Sequence, residues 1–184
     1  MRSLKRAFNV NDDLVTPPCL VEILKPFLFE GAKILCPFDD EKSEYIKILN
    51  KDNHFYALYS GLKTGVDFFD LEKPDVDIII SNPPFSQKMK IFERLFEWGI
   101  PFAMLMNMMS INYQEIGELF QKQNPQPQFI IPDKKVSFNG KTSSFCSGYV
   151  TWKIIDRTEF VHLENNNTGK NFISGENFIS DEVS

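Results

Sequence analysis

The chain has 184 residues, 42% hydrophobic and 24% charged, which is the size and mixture of one globular domain with a real core. Its net charge of -5 counts against strong unaided binding to nucleic acid, and it has neither an apolar run near the roughly 20 residues of a membrane span nor one behind the basic Arg2, Lys5 and Arg6 to make a secretory signal. Cys19, Cys36 and Cys146 are odd in number, far apart and accompanied by only two His, which excludes a zinc framework of ordinary spacing, leaves no metal site to expect, and points to a reducing cytoplasm.

In chain order, Thr16-Pro17-Pro18 reads as a helix start, with Thr16 as cap and a proline in the first turn, where its missing N–H has no partner. The apolar spacing of Leu20, Val21, Ile23, Leu24 and Phe27 carries that helix toward Gly31. Lys33-Ile34-Leu35-Cys36, cut by Pro37, predicts a short buried strand, residues 43–50 a helix with Tyr45, Ile46, Ile48 and Leu49 inward, and residues 55–59 a second strand. Val76-Asp77-Ile78-Ile79-Ile80 is the plainest strand of the chain, β-branched and bounded by Pro74 and Pro83. An amphipathic helix follows over 88–98, then an apolar run over 101–106, a helix over 111–123, and two late strands around Phe129-Ile130-Ile131 and residues 149–155. Strands alternating with helices predict an α/β fold with a mostly parallel sheet, helices on both faces and a late antiparallel hairpin. Residues 1–156 are expected to form this domain, with no insertion large enough for a separate recognition domain. Residues 157–184 turn polar and repeat an Asn-Phe-Ile-Ser unit at Asn171 and Asn177, which suits an edge hairpin or a tail.

The chemistry is concentrated in Ser81-Asn82-Pro83-Pro84-Phe85, directly after the isoleucine strand. Open parallel sheets bind ligands beyond the carboxyl ends of their strands. Two prolines have no N–H to donate, so the segment offers acceptors: the Asn82 side-chain oxygen and the Pro83 carbonyl suit an exocyclic amine. Phe85 supplies a flat face for a base taken out of its stack. The plain alternative is a strand-ending turn with Phe85 in the core.

This tetrapeptide resembles the Asn/Asp-Pro-Pro-aromatic motif of the N6-adenine DNA methyltransferases. The resemblance runs in order from Thr16 to Trp152 and implies a Rossmann-like methyltransferase fold that takes S-adenosylmethionine and methylates adenine in DNA. It implies that Asn82, Pro83, Pro84 and Phe85 are catalytic, with Asn82 also beside the cofactor. Thr16 and Pro17 look like the segment that meets the cofactor's amino-acid end, and Asp67-Phe68-Phe69 like the Asp-Phe segment near its adenine. Lys135-Val136-Ser137-Phe138, followed by Asn139-Gly140, Ser143-Ser144 and Gly148-Tyr149, is similar to the late basic-x-x-Phe hairpin, in which Phe138 closes the other face of the flipped base.

Two departures stand out. Typical members follow the first strand with a glycine-rich turn, whereas Cys36-Pro37-Phe38-Asp39-Asp40-Glu41 has no glycine. It is similar to the Cys-Pro-x-Asp loop of the bacteriophage and EcoRI-type branch, which implies that Cys36, Pro37, Phe38 and Asp39 bind cofactor, with Asp39 accepting from its ammonium group. The second strand ends in Leu58-Tyr59-Ser60, without the acid that many members direct at the ribose. The expected partner is DNA, bound weakly by the chain alone, with a protein partner or a second copy supplying recognition. Two other functions fit the residues. One is a methyltransferase-fold phage protein that has lost turnover and acts by binding a host nuclease or restriction component. The other is methylation of a different planar amine, in an adenine nucleotide or a protein glutamine.

Overall fold

The computed structural model describes residues 15–51, 54–138 and 146–163. Within them seven strands form one sheet in the order β2-β1-β3-β4-β6-β5-β7: β1 Lys33–Cys36, β2 Tyr56–Tyr59, β3 Ile78–Ser81, β4 Phe102–Asn107, β5 Gln128–Pro132, β6 Ser147–Trp152 and β7 Glu159–Val161. β1 pairs in parallel with β2 and β3, β3 with β4, and β5 with β7; β6 runs against both of its neighbours, β4 and β5. This is the mostly parallel α/β sheet with a late antiparallel hairpin that the Rossmann-like methyltransferase fold implies. β7 lies beyond position 156 and joins β5 as a parallel edge strand. The repeated Asn-Phe-Ile-Ser units lie outside the described residues.

All four residues of β3 are buried, as a strand covered on both faces requires. Alternation divides its side chains between two cores. Ile78 and Ile80 join Leu20, Val21 and Leu24 of the first helical segment and Tyr45 and Leu49 of the second. Ile79 turns the other way, to Ile91, Phe92, Leu95 and Trp98 and to Ile116 and Phe120. The helices involved are α1 Pro18–Glu22, α2 Glu44–Leu49, α3 Lys88–Trp98 and α4 Gln114–Gln121, so each face of the sheet carries two. The second core absorbs much of the phenylalanine: Phe92, Phe96, Phe102, Phe120 and Trp152 meet at ring-centroid distances of 5.2–6.3 Å.

Three local expectations are corrected. Thr16 is buried and caps nothing, because Pro17 is the N-cap of α1 and no side chain bonds to the exposed amides. The first helix stops at Glu22 rather than running to Phe27, since Pro26 has no N–H to give the carbonyl four residues back; a 3-10 turn over Lys25–Phe27 replaces it. The helix expected over 111–123 is shortened to α4, with a separate 3-10 turn over Met108–Ser110 ahead of it. α3 keeps its predicted span and ends at Gly99, whose φ of +67° lets its amide donate back to Leu95 and Phe96.

Asn50, just past α2, blunts the exposed edge of β2. Its amide donates to the Ala57 carbonyl at 2.9 Å and its oxygen accepts the Ala57 N–H at 2.8 Å, standing in for a neighbouring strand. Among the described residues no helix is long and apolar enough to cross a membrane.

Candidate active site

β1 has β2 on one side and β3 on the other, and β4 lies beyond β3. The chain therefore winds outward in two directions from β1 and β3, and their carboxyl ends flank the crevice where ligands of such sheets bind. The segment after β1 and the segment after β3 both open there.

Asp39 ties the two together. Ser43 Oγ, which also accepts the Tyr45 amide as the cap of α2, donates to Asp39 Oδ1 at 2.6 Å. Ser81 Oγ, on the last residue of β3, donates to Asp39 Oδ2. Burial pushes the Asp39 carboxyl up to about 6, and the two hydroxyl donors hold it from rising further. The same burial, with Asp39 nearby, raises the Cys36 thiol well above its ordinary range. Beneath this loop, the hydroxyls of Tyr45 and Tyr149 lie 2.9 Å apart, and Tyr149 donates to the Leu20 carbonyl at 2.9 Å. Both phenols are pushed up by burial and stay neutral. The pair locks α1, α2 and β6 to one another below the crevice.

The end of β2 closes on the same loop. The Cys36 carbonyl accepts from Asp39 N–H at 3.3 Å and from Ser60 N–H at 3.1 Å. Gly61 then packs against Phe38 and Asp39 so closely that a Cβ there would stand 3.0 Å from the Asp39 carbonyl oxygen. Gly61, after β2, thus lets its loop touch the β1 loop on the side of β1 away from β3. Ser60 Oγ is buried there and has no hydrogen-bond partner among the described residues. A buried hydroxyl left in that condition needs a water or a ligand to satisfy it.

Beyond β3, Pro83 and Pro84 are buried while Asn82 and Phe85 are half-buried. The Pro84 carbonyl takes the Gln87 N–H at 3.2 Å, closing a 3-10 turn over Phe85–Gln87 that leads into α3. Phe85 packs at the margin of the core shared with α3 and α4, as does Phe38. The Phe38 ring lies 4.8 Å from that of Phe68, which joins the β1 loop to the Asp67-Phe68 segment. Phe68 itself is 3% exposed and also meets Trp98 at 5.1 Å, so it braces the loop from within the core. Asp67 Oδ1 accepts the Phe69 amide at 2.9 Å and shapes its own turn.

The remaining expected residues gather around α1. Thr16 and Pro17 lead into it, and Val136 and Phe138 pack on the core that contains Leu20 and Val21. Cys19 on α1 has its thiol raised by burial, with nearby Lys134 partly offsetting the rise, and Lys135 is exposed. Phe85 and Phe138 therefore belong to cores on opposite faces of the sheet. Asn139, Gly140, Ser143 and Ser144 lie outside the described residues. Sequence reading missed Ser43, Tyr45, Ser60, Gly61 and Tyr149 as parts of the site. The one signal for them is that each is polar or small and stands at the end of an apolar run or within one.

No protein-family model matches the chain, and no curated protein matches it in sequence. Among solved structures, it is similar to a Listeria monocytogenes protein described as a class I S-adenosylmethionine-dependent methyltransferase, with a TM-score of 0.48 and 13% identity over 86% of this chain and 68% of that one.

Proposed function

We propose that the chain is an S-adenosylmethionine-dependent methyltransferase that acts on the N6 amino group of adenine in DNA. The observation that carries this is Asn82-Pro83-Pro84-Phe85 leaving β3 at the crevice between β1 and β3, with the preceding Ser81 anchored to Asp39. The cofactor fits the residues present. Ser60 offers a buried hydroxyl without a partner among the described residues, beside the β1 loop of Phe38 and Asp39 against which Gly61 packs. These residues would hold it, and bound there it supplies an electrophilic methyl group on a sulfonium.

The chain's own residues do the rest. The Asn82 side-chain oxygen and the Pro83 carbonyl accept the two hydrogens of the adenine amine. That orients the nitrogen and draws its lone pair out of the ring. Both hydrogen bonds strengthen as positive charge develops on the nitrogen, so they stabilise the transition state more than the bound substrate. Phe85 faces the extruded base, and the paired prolines keep the platform stiff.

Calorimetric titration with S-adenosylmethionine, followed by radiolabelled methyl transfer to an adenine-containing oligonucleotide, tests the reading. Binding with transfer to adenine N6 is expected. A flat titration would point to the binding-only function, and transfer confined to a free nucleotide or a glutamine would reassign the substrate.

A further inference from the structure

The segment that follows β4 borders the Asn82–Phe85 platform and is built to display side chains. Asn107, the last residue of β4, accepts the Met109 amide on its side chain at 3.0 Å, while Ser110 Oγ donates to the Asn107 carbonyl at 2.6 Å. The turn so fixed leaves Met109 73% exposed and Tyr113 59% exposed. These two exposed side chains lie four residues apart. Tyr113 is also oriented: Lys88 Nζ stands over its ring, 4.9 Å from the centroid. Lys88 is the first residue of α3, directly after the turn that begins at Phe85. One cation–ring contact thus joins the segment after β3 to the segment after β4.

We propose that Tyr113 and Lys88 form a subsite for the nucleotide next to the target adenine, its base stacked on the exposed part of the Tyr113 ring and its phosphate paired with Lys88. This rests on the proposed function and narrows it to a polynucleotide substrate with an unstacked neighbour. A base held at the platform is covalently joined to its neighbours, so the adjoining nucleotide must lie at the rim of the platform. Lys88 takes one face of the ring, so the base stacks on the other while its phosphate reaches Lys88 around the ring, and such stacking tolerates any base because every base has a stacking face. A free nucleotide or a protein glutamine has no such neighbour to place there.

Fluorescence anisotropy with a single-stranded oligonucleotide carrying one adenine among thymines, read beside methyl transfer, tests the subsite on the full chain. Tyr113→Ala is expected to weaken oligonucleotide binding roughly tenfold, within the range for loss of one stacked base, while the affinity for S-adenosylmethionine is unchanged. Tyr113→Trp should bind within about twofold of the wild type, because it keeps the stacking face. Lys88→Ala should weaken binding and flatten its salt dependence by about one phosphate contact. A Tyr113→Ala protein that binds as the wild type does would overturn the subsite, as would a wild type that binds no oligonucleotide. If Tyr113→Ala loses binding but the wild type transfers no methyl group, the subsite stands and the proposed reaction falls.

Discussion

Asn82 and Asp39 are one hydrogen bond and one peptide apart, yet different consequences are expected of them. In the proposed reaction Asn82 addresses the acceptor amine, so Asn82→Ala should lower methyl transfer on the order of 10²-fold or more and leave S-adenosylmethionine affinity nearly intact, by analogy with removing one donor from an oxyanion hole. Wild-type turnover in that variant would mean that the amine is held elsewhere. Asp39, the residue the resemblance directs at the cofactor's ammonium group, receives Ser43 and Ser81 on its two oxygens, which makes it the clamp between the β1 loop and β3. Its raised pKa has a definite sign for stability. The unfolded carboxyl ionises at its ordinary, lower pH, so between there and about 6 the folded protein holds the extra proton, and stability drains away as pH rises through that window. Asp39→Asn removes this term, and its effect on stability relative to wild type should become more favourable on going from about pH 4.5 to about pH 7.5, as read by urea unfolding. A difference that does not change with pH would show that Asp39 titrates normally.

At the level of elements, Gly61 shows how two loops make one wall. Its Cα faces the backbone of Phe38 and Asp39, and the Asp39 oxygen it approaches belongs to a turn already bonded to Cys36. Gly61→Ala should push that turn outward and weaken S-adenosylmethionine binding roughly tenfold or more by calorimetry, since the cost of misfit falls on the loop that forms the facing wall. Unchanged affinity would mean that the turn yields freely. Much of this scale was legible beforehand. Three isoleucines between two prolines could only be a buried strand, and α3 announced itself by Ile91, Leu95 and Trp98 on one face and by Gly99 as its stop. Asn82-Pro83-Pro84-Phe85 was readable because the chemistry is local to four residues. The rest of the site was not, for a physical reason. Tyr45 and Tyr149 are 104 positions apart, and Asp39 and Ser81 are 42 apart, and only the sheet register brings them together. Gly61 reaches the β1 loop from the end of β2, a contact that no local pattern marks. Pro26 was a readable stop that the apolar spacing of Leu24 and Phe27 concealed.

For the whole molecule, charge and topology set the expectations. A net charge of -5 leaves few groups to neutralise phosphates: Lys88 and Lys90 on α3, and Lys134 and Lys135 in the segment after β5. Duplex DNA binding by the isolated chain should therefore be weak, shallow in salt dependence and reduced when Lys134 and Lys135 are both changed to Glu. Tight, sequence-selective duplex binding at physiological salt would show that loops in this fold read bases. The reversed strand has a consequence of another kind. β6 is made after β5 but sits between β4 and β5, pairing six residues with the first and three with the second. While the chain is being synthesised, β5 emerges before either of its sheet neighbours, β6 and β7, and cannot join the sheet until Trp152 has followed. A chain stopped short of Ser147 would keep β4 as an open edge and leave β5 without a sheet neighbour. A segment carrying β6 is the natural partner for that open edge, so this chain could be divided before Ser147 and its two parts made to find each other again.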